Sequence, residues 1–175
     1  EKLIASIRLN FKLIIAPHEI DEKHIHSIES DFAGKAYCLR YSKANDTNIN
    51  DAQVLIIDNI GMLSSLYQYG TTAFIGGGFG KGIHNILEAA TFGLPVIFGP
   101  NYEKFTEAKE LIRLGGAFVV SGVAELEKTV ALLEDEAVLK TASHISKQYV
   151  ESRVGASDRI LGDVKIDSPE LSSHS

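Results

Sequence analysis

The residues best able to do chemistry lie together in one stretch, Phe74-Ile75-Gly76-Gly77-Gly78-Phe79-Gly80-Lys81-Gly82-Ile83-His84-Asn85-Ile86-Leu87-Glu88. Glycine occupies 76, 77, 78, 80 and 82, so the backbone here can come close to a ligand without side chains in the way. Lys81 adds a local cation, and His84 can donate to an oxyanion when its proton sits on the appropriate nitrogen. A helical pattern follows, and a helix start presents unpaired N–H groups and the positive end of its dipole. A phosphate suits such a place. Asn85 and Glu88 are three apart and His84 and Glu88 four apart, which puts them near one another on the first turns of that helix. A carboxylate there can hold two vicinal ribose hydroxyls while the loop holds the phosphate. The same pair also fits a helix cap, with Asn85 as N-cap and Glu88 reaching back to it, and the spacing leaves both readings open.

Two familiar phosphate motifs fail on spacing. The Walker pattern needs glycine where Ile75 stands and Ser or Thr where Gly82 stands. The dinucleotide pattern G-x-G-x-x-G needs glycine at Lys81 when counted from Gly76, or at Ile83 when counted from Gly78, and Phe98 runs into Gly99-Pro100 with no acidic residue at that strand end. Kinase, NTPase and dehydrogenase chemistry therefore lose their support. His18, in Pro17-His18-Glu19, sits at a second strand-end junction where a cation can meet a phosphate or simply start a helix on the surface. Asp58-Asn59-Ile60-Gly61 forms a third junction, with an Asx-type helix cap as its plain reading. His24 and His26 are two apart in a helical pattern, face different ways and are expected at the surface rather than on one metal. His144 and His174 have no evident partner. No carboxylate pair, Ser-His-Asp set or Cys-His set is complete, so no catalytic residue is expected in this chain.

The elements that must position these residues follow from hydrophobic patterning. Short continuous apolar runs at 13–15, 54–57, 73–75, 96–98 and 117–120, with a weaker one at 36–39, suit strands buried on both faces. Between them Ile25, Ile28 and Phe32, then Phe105, Ala108, Leu111 and Ile112, then Val123, Leu126, Val130 and Leu133, repeat at helical spacing. Gly93 marks the end of a helical stretch over 85–92, Pro95 forbids its continuation, and Gly115-Gly116 separates a later helix from its strand. Alternating strand and helix predicts an α/β, Rossmann-like three-layer domain with about six parallel strands covered on both sides. Ligands of such sheets bind outside the carboxyl ends of the strands, which is where the glycine run falls.

Composition sets the outer bounds. The chain has 175 residues, 45% hydrophobic and 23% charged, enough for one well-buried core. Its net charge of −6 argues against a general grip on nucleic acid or anionic lipid. A single cysteine, Cys38, leaves no internal disulfide framework and fits a reducing compartment. No apolar run approaches the roughly 20 residues that span a bilayer. The first residue is Glu1 rather than Met, which suggests a piece of something longer. The expected organisation is a linker or interdomain helix end over 1–10, a donor-type domain over 11–162 and a loose tail over 163–175.

Four segments in order, Asp58 to Tyr67, Ala73 to Gly77, His84 to Glu88 and Phe92 to Pro100, resemble the bacterial 3-deoxy-D-manno-octulosonic acid (Kdo) transferases of lipopolysaccharide synthesis, over roughly residues 11–135. Those enzymes have the GT-B fold, two Rossmann-like halves facing a cleft, and the chain resembles the C-terminal, donor-binding half. The resemblance implies CMP-Kdo as the donor and transfer to lipid A precursor at the cytoplasmic face of the inner membrane, with no metal or other cofactor. It implies that residues matching Gly77 to Asn85 hold the donor phosphate and that Glu88 binds the ribose. The general base, acceptor surface and membrane anchor belong to the family's N-terminal half, the partner this chain lacks. The expected substrate-binding set is Gly77, Gly78, Gly80, Lys81, His84, Asn85, Glu88, His18 and Gly61. The family usually reads Pro-Arg-His where this chain has Pro17-His18-Glu19, so a histidine stands in the place of the phosphate-binding arginine. It commonly has glutamate at Met62, serine at Gly78, glycine at Ile83 and proline at Ala89. Two rival readings remain: the donor half of another GT-B transferase or epimerase using a UDP-sugar, and a non-catalytic sugar-nucleotide sensor.

Overall fold

The computed structural model describes residues 1–164, with 154–164 described as helix only. The tail expected over 163–175 lies, from residue 165 on, outside the described residues. Among the described residues six strands form: β1 (Leu13–Ile15), β2 (Cys38–Arg40), β3 (Val54–Ile56), β4 (Ala73–Ile75), β5 (Val96–Phe98) and β6 (Ala117–Val119). Seven α-helices accompany them there: α1 (Lys2–Ala5), α2 (Glu22–Phe32), α3 (Leu63–Leu66), α4 (Leu87–Thr91), α5 (Thr106–Leu114), α6 (Val123–Leu133) and α7 (Glu136–Val164).

Every ladder is parallel, as the alternation of strands and helices predicts. The strands pair as two three-stranded sheets, β1-β3-β2 and β4-β5-β6, rather than as one six-stranded sheet. Apolar runs reveal which segments are strands and not which edges meet, so this division was not legible from patterning.

The second sheet is the better covered. β5 is buried at all three positions, and a cluster including Ile86, Ala89, Ala90, Phe98, Ala108, Leu111 and Tyr149 packs on one face of it. On the other, Ile97 and Val120 meet Leu126 and Leu133 of α6 and Ile7 of the N-terminal segment. α7 approaches closely where Gly116 makes room: a Cβ there would lie 2.9 Å from Ser146 Oγ. The fully buried Ser146 hydroxyl donates to Gly116 O at 3.0 Å, so the approach leaves no unmet polar group there. The first sheet packs Ile15, Val54 and Ile56 against Ile25, Ile28 and Phe32 of α2 and Ala5 of α1. Its other face carries Ile14, 38% exposed, level with Leu55 of β3, so burial on both faces does not hold at β1. Residues 1–10, expected as a linker, bury Ala5 and Ile7 and pack against both halves.

Two punctuation marks read from the sequence appear where expected. Gly93 and Gly115 end α4 and α5 with φ of +74° and +91°, the left-handed region that glycine enters without a Cβ penalty.

Candidate functional site

The glycine loop leaves the carboxyl end of β4 and folds back on itself. Gly80 N–H and Gly82 N–H donate to Gly77 O at 2.8 and 3.3 Å, and His84 N–H donates to Gly76 O at 3.1 Å. The turn after β5 pins the loop from outside: Asn101 N–H donates to Gly78 O at 2.9 Å and Asn101 Nδ2 to Gly80 O at 2.8 Å. Three of the five glycines are required by this fold. Gly77 has φ +87°, and a Cβ there would lie 2.2 Å from Gly82 O; Gly78 lies against Gly99, whose N would be 2.6 Å from a Cβ; Gly82 has φ +132°. Gly76 and Gly80 have ordinary room for a Cβ. The glycine density is thus partly a matter of the loop's own packing. The amides of Gly80, Gly82 and His84 point inward, so Gly80 gives a ligand access rather than a donor.

α4 begins at Leu87, two residues later than the stretch over 85–92 predicts, because Ile83 and Ile86 turn into the core before the helix starts. Asn85 Oδ1 accepts from Leu87 N–H at 3.0 Å, and Asn85 Nδ2 donates to Glu88 Oε1 at 3.0 Å. Both side chains are exposed, and their pairing realises the cap geometry shifted by one residue. Glu88 keeps a second carboxylate oxygen. Burial, and to a lesser degree the Glu88 charge, pushes the Tyr67 phenol above its ordinary value.

The two sheets meet at their carboxyl ends through histidines. His18, after β1, and His84, after the glycine loop, bring their rings to 6.0 Å between centroids at 54°. His84 also lines the loop, since a Cβ on Gly77 would come within 2.9 Å of its Cδ2. His18, His84, Asn85 and Lys81 are all exposed along this rim. Gly61 turns the chain after β3 with φ +89°, and no hydrogen bond joins it to the glycine loop.

Asp58 does not cap α3, contrary to the Asx expectation. Its carboxylate accepts from Ser42 N–H at 2.9 Å and from the Ser42 hydroxyl, tying the end of β3 to the turn after β2. Burial pushes its carboxyl up, but the two Ser42 hydrogen bonds outweigh this and hold it below its usual range. Sequence reading missed Arg40, a buried arginine at the end of β2. Its Nε donates to Glu29 Oε1 at 2.7 Å and its Nη1 to Glu22 at 2.9 Å, clamping both ends of α2. The hydrogen bond from Arg40 holds the Glu29 carboxyl below its usual range despite partial burial. An arginine closing an apolar strand was the available clue. His24 and His26 lie on α2 beside Glu1 and Glu22 respectively, and His26 is exposed.

A cavity of about 340 Å³ lies away from this rim, lined by Ala5, Ile7, Arg8, Leu9, Phe32 and Lys35. Its polar side chains are Arg8 and Lys35, and Lys35 Nζ donates to Ala5 O at 2.8 Å; the strand-end rim is the candidate site. No helix among the described residues is long and apolar enough to cross a membrane.

Parallel strands, crossover helices and a glycine loop at the carboxyl strand ends make this a Rossmann-like α/β domain. The C-terminal CMP-Kdo binding domain of WaaA from Acinetobacter baumannii shares the fold, with a TM-score of 0.65 at 22% identity over 78% of this chain and 72% of that one. In sequence the chain is similar to the 3-deoxy-D-manno-octulosonic acid transferases. That of Aquifex aeolicus (strain VF5) is 34% identical over 119 residues, 67% of this chain and 32% of the relative. That of Rickettsia bellii (strain RML369-C) is 28% identical over 172 residues, 92% of this chain and 41% of the relative. The chain spans less than half the length of these relatives. No protein-family model matches it.

Proposed function

We propose that this chain is the donor-binding half of a Kdo transferase, an inverting GT-B glycosyltransferase that passes Kdo from CMP-Kdo to lipid A precursor. One observation carries the reading: in a chain similar to Kdo transferases, the glycine loop stands at the carboxyl end of β4 with His18, Lys81 and His84 along one rim. The cytidine phosphate lies over the loop, near Gly77, Gly78 and Gly80, where Lys81 and the imidazoles meet its charge. Glu88, held by Asn85 through one oxygen, offers the other to the ribose hydroxyls. Gly61 lines the neighbouring strand end.

Transfer breaks the bond between the anomeric carbon of Kdo and the phosphate oxygen, and negative charge grows on the departing CMP. Lys81 and the imidazole groups along the rim stabilise that charge electrostatically as it develops. The reading assigns this work to the chain's own groups and calls for no metal. The base that takes the acceptor's proton, the acceptor surface and the attachment to the cytoplasmic face of the inner membrane belong to the other half of the longer protein.

An amide NMR titration of the 175-residue chain with CMP, with UDP and NAD as controls, tests the reading. Shifts specific to CMP and centred on residues 76–88 are expected. Preference for UDP would move the chain to a UDP-sugar transferase or epimerase, and no shift with any nucleotide would overturn donor binding by this chain.

A further inference from the structure

The two rings that bridge the sheets have a consequence for when the site holds its ligand. His18 comes from the β1–α2 loop and His84 from the loop after β4, and nothing in their own segments requires them to meet. Yet the rings lie 6.0 Å apart, both exposed, and neither side chain has a hydrogen bond or ion pair within the described residues. The charged residues near them in sequence are Glu19 and Asp21 on the β1–α2 loop, Lys81 in the glycine loop and Glu88 at the start of α4. Asp21 is engaged by the amide of His24, and Glu88 by Asn85. Imidazole is the side-chain type whose ordinary change of charge falls between about pH 5 and 8.

Resting on the donor-binding reading, we infer that His18 and His84 form a two-imidazole clamp that grips a singly charged nucleotide phosphodiester by taking up protons, so that donor affinity falls as pH rises. An anion between the two rings favours their protonated forms, because imidazolium N–H groups make charge-assisted hydrogen bonds to phosphate oxygens. Ligand and protons then bind together, and by linkage each strengthens the other. An arginine in the place of His18 would carry its charge at every pH in this range and would not couple binding to protons.

The probe is the 5′-methyl phosphodiester of cytidine, whose single negative charge is constant across the range, unlike the second ionisation of CMP. Affinity of the 175-residue chain is measured by calorimetry at pH 5.5, 6.5, 7.2 and 8.0 in constant salt, with proton uptake read from buffers of different ionisation enthalpy. At least tenfold weaker binding at pH 8.0 than at pH 5.5 is expected, with net proton uptake near pH 7. His18→Gln should shrink the pH dependence, His18→Arg should flatten it while holding affinity at pH 8.0, and thermal unfolding should show both variants folded. Binding that is equal at every pH overturns the clamp and leaves donor binding standing. A pH dependence unchanged in His18→Gln also overturns it, by assigning the protons elsewhere. Absence of binding at all pH values overturns the donor reading and the clamp with it.

Discussion

The two sheets solve the same packing problem to different degrees. Around β4, β5 and β6, apolar side chains are covered from both sides, and α7 comes close enough for a serine hydroxyl to meet a strand-end carbonyl. Around β1, β2 and β3, α1 and α2 cover one face, Ile14 stays exposed on the other, and polar ties such as Arg40 with Glu22 and Glu29, and Asp58 with Ser42, fix the loops. The glycine loop belongs to the half with the deeper core. A loop that must hold its own amides and carbonyls in place needs a rigid support beneath it. The half with more polar ties supplies His18, which completes the rim from the side.

This contrast predicts unequal costs of deletion. Phe98→Ala, at a fully buried position, should destabilise the fold by about 3–5 kcal/mol in urea unfolding, whereas Ile14→Ala should cost under about 1 kcal/mol. Equal losses would mean that the first sheet is as well covered as the second.

Next in size are the glycines of the loop. A methyl group on Gly78 meets backbone on Gly99 at 2.6 to 2.9 Å, contacts no side chain can relieve, so Gly78→Ala should cost about 1–3 kcal/mol. The methyl of Gly80→Ala meets only Gly77 O, at 3.6 Å, and stability should stay within about 0.5 kcal/mol of the parent chain. Thermal or urea unfolding of both variants separates glycines required by the fold from glycines with room to spare.

The cap on α4 comes third. Asn85→Ala removes both the acceptor for Leu87 N–H and the donor to Glu88, and should cost about 0.5–2 kcal/mol. Glu88→Gln is the sharper probe: it should lose little stability yet weaken CMP binding, and unchanged CMP affinity would return Glu88 to a purely structural cap.

The smallest effects separate the halves by pH. Glu29 and Asp58 are held below the usual carboxylate range, so the stability they contribute is present above the unfolded carboxylate pKa and is lost as pH falls through their lowered values. Arg40→Met should therefore flatten the acid limb of a stability profile. In the other half, burial and then its hydrogen bond to Glu110 push the Tyr149 phenol well above its ordinary value. Its contribution is complete below the unfolded phenol pKa and declines as pH rises beyond it, so Tyr149→Phe should soften the alkaline limb. Acid and alkaline limbs that respond to both variants alike would remove this distinction between the halves.

The parallel α/β class is written in local spacing, because six apolar runs alternate with helical periods and each run forms a strand within a residue or two. Local spacing also locates the glycine loop, the glycines that end α4 and α5, and the pairing of Asn85 with Glu88, since all of these are contacts between near neighbours in the chain. The division of the strands three and three, the exposure of Ile14 and the need for glycine at 78, where Gly99 lies against it, emerge only from three-dimensional packing. The same holds for Arg40 reaching Glu22 and Glu29, and for His18 facing His84 across 65 intervening positions of the chain. The physical reason is common to these cases. Periodicity and turn chemistry are written in local spacing, whereas edge pairing, close backbone approach and meetings between loops depend on how separate elements share one volume.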